Sequence, residues 1–277
     1  FMKQRLITSF VGLVLLGVVL YFYHTLLLAA AVTLLSVMAV WELLHAEHLC
    51  GYTSVIPVCL AAAAVIPLLV FTEAVGLREV CLIFGGILML FVLFDPKKFG
   101  ATSAGYAFFV SVAVPLGFSM LLVFREGFST VQGLYLILLS LAVAWLNDTF
   151  AFFSGHLFGR RKLCPTISPK KTVEGAVGGV IGSITLSLLL SWAYALYAAP
   201  AIGEPLSIRW LSLSLFLPVG AAAGIFGDLC ASVIKRQSGI KDYGNVMPGH
   251  GGIMDRFDSW LFVAPLLYLW NFFFPII

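Results

Sequence analysis

Three aspartates lie among apolar residues in the last third of the sequence. Asp228 follows one apolar segment, and Asp255 and Asp258 precede the last one. A carboxylate in such surroundings is costly unless it is paired or binds a metal. If the residues after Gly252 are helical, Asp255 and Asp258 share one face, as two ligands of a hard cation such as Mg²⁺ require. We predict a metal site from these three aspartates, with Asp148 as a weaker candidate.

Basic residues accompany these acids. A few acids next to many bases are typical of sites that bind Mg²⁺ together with substrate phosphates. The glycine-rich segment that ends in His250, Gly251 and Gly252 can bring backbone N–H groups close to an anion just before a helix. The candidate bases are Lys170, Lys171, Lys235, Arg236, Lys241 and Arg256.

A simpler explanation exists for some of these charges. Bases beside membrane helices contact lipid head groups, and acids in a first helical turn complement the helix dipole. We accept that explanation for Lys97 and Lys98, but the segment 228–258 combines acids, bases and a glycine-rich turn, so we favour a functional site. His250 either binds phosphate or fixes the loop. Asp148, next to Asn147 in apolar sequence, is a functional candidate or a partner of a nearby base.

Other patterns give weaker signals. Glu42, His45, Glu47 and His48 have metal-like spacing, but a single copy at a helix end is weak support for a metal site. The five cysteines lack C-x-x-C spacing, so we interpret them as small core residues. Sequences typical of a P-loop, a GxGxxG nucleotide site and an HExxH metal site are absent.

The composition indicates the kind of protein that positions these residues. Hydrophobic residues make up 61% of the chain and charged residues 10%, which excludes a water-soluble fold. The apolar segments are long and do not alternate, so they predict an all-α helical bundle rather than a barrel. No pattern for binding nucleic acid is present. The predicted spans are 6–24, 25–44, 53–72, 77–94, 102–124, 128–148, 176–199, 209–227 and 259–275, the first being retained rather than cleaved as a signal.

The positive charges predict the orientation of these spans. With a cytoplasmic N-terminus, all but three of the 16 Lys and Arg residues lie on the cytoplasmic side, as do the polar loops 159–175 and 228–258. Glycine pairs four residues apart in the C-terminal half predict close helix packing rather than a dimer contact. We therefore expect a peripheral or oligomerising bundle over 1–130 and a catalytic bundle over 131–277.

The segment 228–258 resembles the signature of the phosphatidate cytidylyltransferases, also called CDP-diacylglycerol synthases. Further resemblance comes from Asn147-Asp148, from Ser168 to Gly175 and from Gly227-Asp228, so that it covers about 145–260. The signature residues are Ser232, Lys235, Arg236, Lys241, Asp242, Pro248, His250, Gly251, Gly252, Asp255, Arg256 and Asp258.

The resemblance implies a reaction. CTP and phosphatidic acid give CDP-diacylglycerol and pyrophosphate in a Mg²⁺-dependent, multi-pass, homodimeric enzyme of the inner cell membrane. For this reaction we assign catalytic roles to Lys235 and Arg236 with the three aspartates. We assign substrate binding to Ser168, Lys170, Lys171, Thr172, Ser232, Lys241, His250, Gly251, Gly252 and Arg256. A second metal ion is compatible with this set.

Two alternative functions remain open from the residues alone. A CTP-dependent lipid kinase would share the metal and nucleotide features but transfer the γ-phosphate. A transporter would carry acids near the middle of inverted repeats, whereas the acids here lie at one membrane face and no repeat is visible. We favour cytidylyl transfer.

Overall fold

The computed structural model describes residues 2–47, 49, 54–72, 76–246 and 251–277, without the side chains of residues 2–7 and 9. The described part is helical except for one short hairpin. Its helices are α1 (Met2–Tyr21), α2 (Leu26–Ala46), α3 (Val55–Phe71), α4 (Leu77–Phe94), α5 (Ala101–Phe118), α6 (Met120–Gly127), α7 (Thr130–Phe158), α8 (Val173–Ala193), α9 (Ala199–Ile202), α10 (Trp210–Gln237), α11 (Met254–Phe257) and α12 (Trp260–Phe273). The strands are β1 (Lys162–Cys164) and β2 (Ser168–Thr172), and a π-helix (Tyr194–Ala198) joins α8 to α9.

The first of two compact units contains Phe1–Val123 and Gln237–Arg256. Helices α2, α3 and α5 pack against one another, α4 packs against α3 and α5, and α1 packs against α2. Small side chains such as Ala39, Ala63 and Ala107 are fully buried there. Lipid tails are as apolar as the helices, so the hydrophobic effect does not drive helix association in a membrane. Small residues favour association instead, because they let helices approach closely and pack.

The second unit contains Phe124–Arg236 and Phe257–Ile277. Helix α7 packs along α8 and also contacts α12. Trp260 of α12 is fully buried, and its indole N–H donates a hydrogen bond to the Ser140 hydroxyl of α7 at 2.9 Å. The Tyr135 hydroxyl of α7 donates to Ser191 Oγ of α8 at 3.0 Å. These buried polar side chains are thus paired across helices, which lowers the cost of placing them in a membrane interior.

The pairing of α7 with α8 depends on glycine. A Cβ at Gly175 would lie 2.8 Å from the Ala151 carbonyl oxygen and 3.1 Å from Gly155 Cα. At Gly179 a Cβ would lie 2.8 Å from the Asn147 carbonyl oxygen. Because these neighbours are backbone atoms, larger residues would push the helices apart. The prediction of close helix packing at these glycines is confirmed.

An all-α membrane fold is also confirmed. Six described helices or continuous helix pairs are long and apolar enough to cross a membrane: 26–46, 77–94, 101–127, 130–158, 173–202 and 210–237. Three shorter apolar helices, 10–21, 55–71 and 260–273, lie at the other predicted spans. The chain is a multi-pass membrane protein, and the number nine stays a prediction.

Two helices extend beyond the predicted membrane spans, and the first part of the predicted loop 228–258 is helical. Helix α7 continues from the predicted end at 148 to Phe158, and α10 continues from 227 to Gln237. The apolar run ends where the surroundings become polar, but the backbone hydrogen bonds of a helix continue beyond that point. Asp228, Ser232 and Lys235 therefore lie on a helix rather than in a loop, spaced by four and three residues along one face.

The condition under which Asp255 and Asp258 would share one helix face is met only in part, because the helix is interrupted between them. Helix α11 ends at Phe257, so Asp258 lies in the turn before α12. The Ser259 backbone N–H, which would continue the helix, instead donates to Asp258 Oδ1 at 2.8 Å. A short polar side chain that accepts a neighbouring backbone N–H competes with helix formation in this way.

Candidate active site

Asp148 and Asp258 are connected through one serine in the second unit. The Ser259 hydroxyl donates to Asp148 Oδ2 at 3.1 Å, and its backbone N–H donates to Asp258 Oδ1. Asp148 lies on α7 with an exposed side chain, whereas Asp258 is only 5% exposed. The structure therefore brings together two of the four predicted metal ligands.

Asp228 binds a lysine of the hairpin. Its Oδ2 forms an ion pair with Lys171 Nζ, and Oδ1 accepts a 3.4 Å hydrogen bond from the Ser232 hydroxyl one turn later on α10. Lys171 and Asp228 side chains are 27% and 22% exposed, so water screens this pair only partly. The structure thus brings the predicted phosphate ligand Lys171 to a predicted metal ligand.

The charges of this cluster do not balance. Asp148, Asp228 and Asp258 are acidic, while Lys171 and the buried Lys235 are basic. Burial, followed by the negative charge of Asp228, raises the pKa of the Asp258 carboxyl, and Lys235 opposes this rise. The cluster thus has one more acid than it has bases, and burial together with this excess raises the pKa of Asp258. The cluster therefore has the electrostatics of a cation site.

The hairpin that carries Lys171 is fixed by its neighbours. Strands β1 and β2 pair antiparallel, with Lys162 opposite Thr172 and Cys164 opposite Ser168. Arg236 Nε donates to the Ile167 carbonyl oxygen at 3.2 Å, so this arginine, a predicted catalytic residue, supports the hairpin turn. Successive strand residues point to opposite faces, which leaves Lys170 exposed while Lys171 reaches Asp228.

Thr172 ends the hairpin and begins α8. Its Oγ1 accepts the Gly175 N–H at 3.1 Å, which is an N-cap contact. Glu174, in the first turn of α8, accepts the backbone N–H groups of Arg160 and Arg161 at 2.9 and 3.1 Å. These contacts give Thr172 a structural role beside the predicted role in substrate binding.

Asn147, next to Asp148, lies at the contact of α7 with α10. Its Nδ2 donates to the Ala221 carbonyl oxygen at 3.2 Å, and the side chain is fully buried. Its Oδ1 is buried without a hydrogen-bond partner among the described residues. Asn147 therefore fixes the part of α7 from which Asp148 projects.

The first unit contains the glycine-rich part of the signature. Asp255 Oδ2 accepts the backbone N–H of Tyr243 at 2.8 Å and of Gly252 at 3.0 Å. Gly251 has φ +86°, which a residue with a side chain rarely adopts. Asp255 therefore organises its own loop, a role that its acidic character alone did not indicate. Its predicted role as a metal ligand stays a prediction.

Glu42, which the sequence marks only as part of a weak metal-like pattern, contacts this loop. It lies on α2 and is 3% exposed, and its carboxylate accepts the backbone N–H groups of Ile253 and Met254. The sequence signal for this different role was an acid within an apolar helix, which by default marks a functional position.

The remaining predicted residues of the first unit are on the surface. Lys241 and Arg256 have exposed side chains, suited to an anion from solution. His250 lies outside the described residues, so neither of its two predicted roles is tested.

The acids of the second unit fit Mg²⁺ in the way that phosphate-handling sites use it. Among the described residues no three Asp, Glu, His or Cys side chains form a metal-ligand set by themselves. Mg²⁺ is usually held by one or two carboxylates together with waters and substrate phosphates. Asp228 and Asp258, with the excess of negative charge around them, match that incomplete set.

Known proteins resemble this chain over nearly its full length. The model of the cytidylyltransferase family matches residues 3–274. A Staphylococcus epidermidis protein named phosphatidate cytidylyltransferase is 35% identical over 271 residues, which are 96% of this chain and 97% of the relative. Relatives of that name from Bacillus subtilis and Staphylococcus saprophyticus are 37% and 40% identical, over 72% and 65% of this chain and 70% and 64% of their own lengths.

The matched region contains both clusters of site residues. It begins before α2 and ends after α12, so it includes the acids of the second unit and the glycine-rich loop of the first. The resemblance that the signature residues suggested is thereby confirmed. The chain belongs to the cytidylyltransferase family, together with relatives named phosphatidate cytidylyltransferase.

Proposed function

We propose that this chain transfers the cytidylyl group of CTP to phosphatidic acid, giving CDP-diacylglycerol and pyrophosphate. The family and the names of its relatives support the reaction. One observation supports the location of the active site in the second unit. Asp148, Asp228 and Asp258 lie there with Lys171 and Lys235, so that acids outnumber bases by one. Acids that need a cation, beside bases that bind phosphate, are what the handling of a nucleoside triphosphate requires.

Asp228 and Asp258 would hold Mg²⁺, with Asp148 as a further ligand. When bound, this ion would neutralise charge on the phosphates of CTP and orient them. Lys171 and Lys235 would offset the negative charge that moves toward the pyrophosphate as it leaves. This assignment keeps every charged group of the cluster in use and leaves Arg236 to support the hairpin.

The transfer itself is an in-line displacement. A phosphate oxygen of phosphatidic acid attacks the α-phosphorus of CTP, a new P–O bond forms, and the bond to the pyrophosphate oxygen breaks. A phosphomonoester has a second pKa of about 6, so it is largely dianionic at neutral pH and needs no general base. Catalysis by this chain then rests on positioning and on charge neutralisation.

The orientation in the membrane belongs to the same proposal. The distribution of Lys and Arg supports a cytoplasmic N-terminus and a cytoplasmic active site, where CTP is present. Phosphatidic acid would reach the site from the membrane. The proposal includes a homodimer in the inner cell membrane, which the resemblance to the family supports.

Product analysis tests this function against its nearest alternative. Purified protein is incubated with phosphatidic acid, Mg²⁺ and CTP, and the lipid and nucleotide products are identified by mass spectrometry. We expect CDP-diacylglycerol and one pyrophosphate for each lipid formed. Release of CDP with a newly phosphorylated lipid would instead identify a lipid kinase, and absence of any lipid product in several detergents would refute both.

A further inference from the structure

Glu42 is an acidic residue at a position where burying a carboxylate costs free energy. It lies near the end of α2, a helix apolar enough to span a membrane, and is 3% exposed. A buried carboxylate persists only where partners replace the water that it has lost. No role in the proposed reaction accounts for this residue, which lies far before the signature residues in the sequence.

The partners of Glu42 are backbone N–H groups at the start of α11. Oε1 accepts the Ile253 N–H and Oε2 accepts the Met254 N–H, each at 2.9 Å. Both oxygens are thus used by consecutive residues of the signature loop. The contact joins positions that are 211 and 212 residues apart, so it fixes this loop to α2.

Two glycines of the same segment make room for this carboxylate. A Cβ at Gly244 would lie 2.7 Å from Glu42 Oε1, and a Cβ at Gly252 would overlap the same group. Neither glycine has the positive φ that would require glycine for backbone reasons. Their small size is therefore explained by the volume of the Glu42 side chain.

A second acid of α2 holds the beginning of this segment. Glu47, the residue that caps the end of α2, accepts the Ser238 hydroxyl at 2.6 Å. Within the segment, Asp255 ties the backbone of Tyr243 to that of Gly252. Glu42 and Glu47 thus attach the two ends of Gln237–Arg256 to one helix.

We infer that Glu42 is a positioning residue for the reaction, which sets the backbone of Gly252–Arg256 so that Asp255 and Arg256 are presented in one conformation. The inference rests on the proposed function for its effect on turnover. Its effect on the backbone is independent of that function. The two carboxylate oxygens are the essential feature, because each has its own N–H donor.

Glu42→Gln tests the inference with little change of shape. Glutamine retains one acceptor oxygen, but its NH₂ group would face a backbone N–H that needs an acceptor. We expect kcat/KM to fall about tenfold or more, since a buried donor loses its partner. Glu42→Asp keeps two acceptors on a shorter side chain and should recover part of that loss. Glu79→Gln, an exposed acid on α4 paired with Arg78, is the matched control and should leave kcat/KM unchanged.

Hydrogen exchange separates positioning from general destabilisation. In Glu42→Gln we expect amide exchange of residues 251–257 to accelerate about tenfold, with α3 and α5 of the same unit unchanged. Unaltered exchange in 251–257 would refute the inference. Faster exchange with normal kcat/KM would also refute it, because the loop would then not need Glu42 for turnover. If the wild-type protein gives no CDP-diacylglycerol, the proposed function fails. The exchange result still shows whether Glu42 holds the backbone of residues 251–257.

Gly244→Ala tests the contact with the carboxylate in place, so this test does not depend on whether Glu42→Gln folds. Gly244→Ala alone should disturb the Glu42 carboxylate and accelerate exchange in 251–257, whereas Gly105→Ala, which has open space on α5, should not. In a Glu42→Ala background the same change at Gly244 has room, so it should add less than about twofold. Fully additive effects would contradict the contact.

Discussion

Asp258→Asn is expected to lower cytidylyl transfer by about 1000-fold or more while leaving the protein folded. Asparagine has nearly the same shape and retains an oxygen for the Ser259 N–H. The change removes the charge that would help to hold the cation, and losing such a contribution of about 4 kcal/mol corresponds to a factor of 1000. Stability should be unchanged or higher, since burial and Asp228 disfavour the charge of Asp258. Turnover and thermal unfolding in detergent check the two parts.

Asp95→Asn is the control for this substitution. Asp95 follows α4 and forms an ion pair with Lys98, with side chains that are 49% and 77% exposed. An exposed pair of this kind contributes little to stability, so turnover and unfolding temperature should both remain close to wild type. Turnover of Asp258→Asn within a few-fold of wild type would contradict the assignment of Asp258.

Lys171→Gln is expected to lower kcat/KM by about 100-fold. Lys171 pairs with Asp228 and is a proposed phosphate ligand, so its loss removes positive charge from both the resting cluster and the transition state. Single charge-stabilising groups in active sites contribute about 100-fold to 1000-fold. Lys171→Arg retains the charge and should lose less, although its planar group differs in shape. Steady-state kinetics over a range of CTP concentrations provide the measurement.

Lys98→Gln serves as the matched control, because it removes an exposed lysine paired with an aspartate in the other unit. We expect no change in kcat/KM for this variant. Lys171→Gln with kcat/KM within about twofold of Lys98→Gln would show that Lys171 has no part in phosphate binding.

The membrane fold was largely predictable from sequence, because unpaired backbone groups in lipid force apolar segments into helices. Helix ends were less predictable. Apolar composition marks where lipid contact ends, and α10 continues to Gln237 beyond that point. The spacing of Asp228, Ser232 and Lys235 by four and three residues was the available sign that this polar segment is helical.

The acids of the site were predictable because they are unusual among apolar residues, and Asp148, Asp228 and Asp258 are brought into one unit. The division of the signature residues between the two units was not predictable. The glycine-rich part of the signature is anchored in the first unit by Glu42, a contact without any local sequence pattern. The turn at Asp258 likewise depends on which acceptor the Ser259 N–H takes, and spacing alone favours neither choice.

In the proposed mechanism, carboxylates of the second unit act through a bound cation on the α-phosphate of CTP. The most direct test follows transfer of label from [α-³²P]CTP to phosphatidic acid, after divalent ions have been removed by a chelator and then restored as Mg²⁺. We predict no labelled lipid in the chelator and full recovery with Mg²⁺, while [γ-³²P]CTP labels no lipid in either condition. Label transfer at the full rate in the chelator, or from the γ-position, would contradict the account.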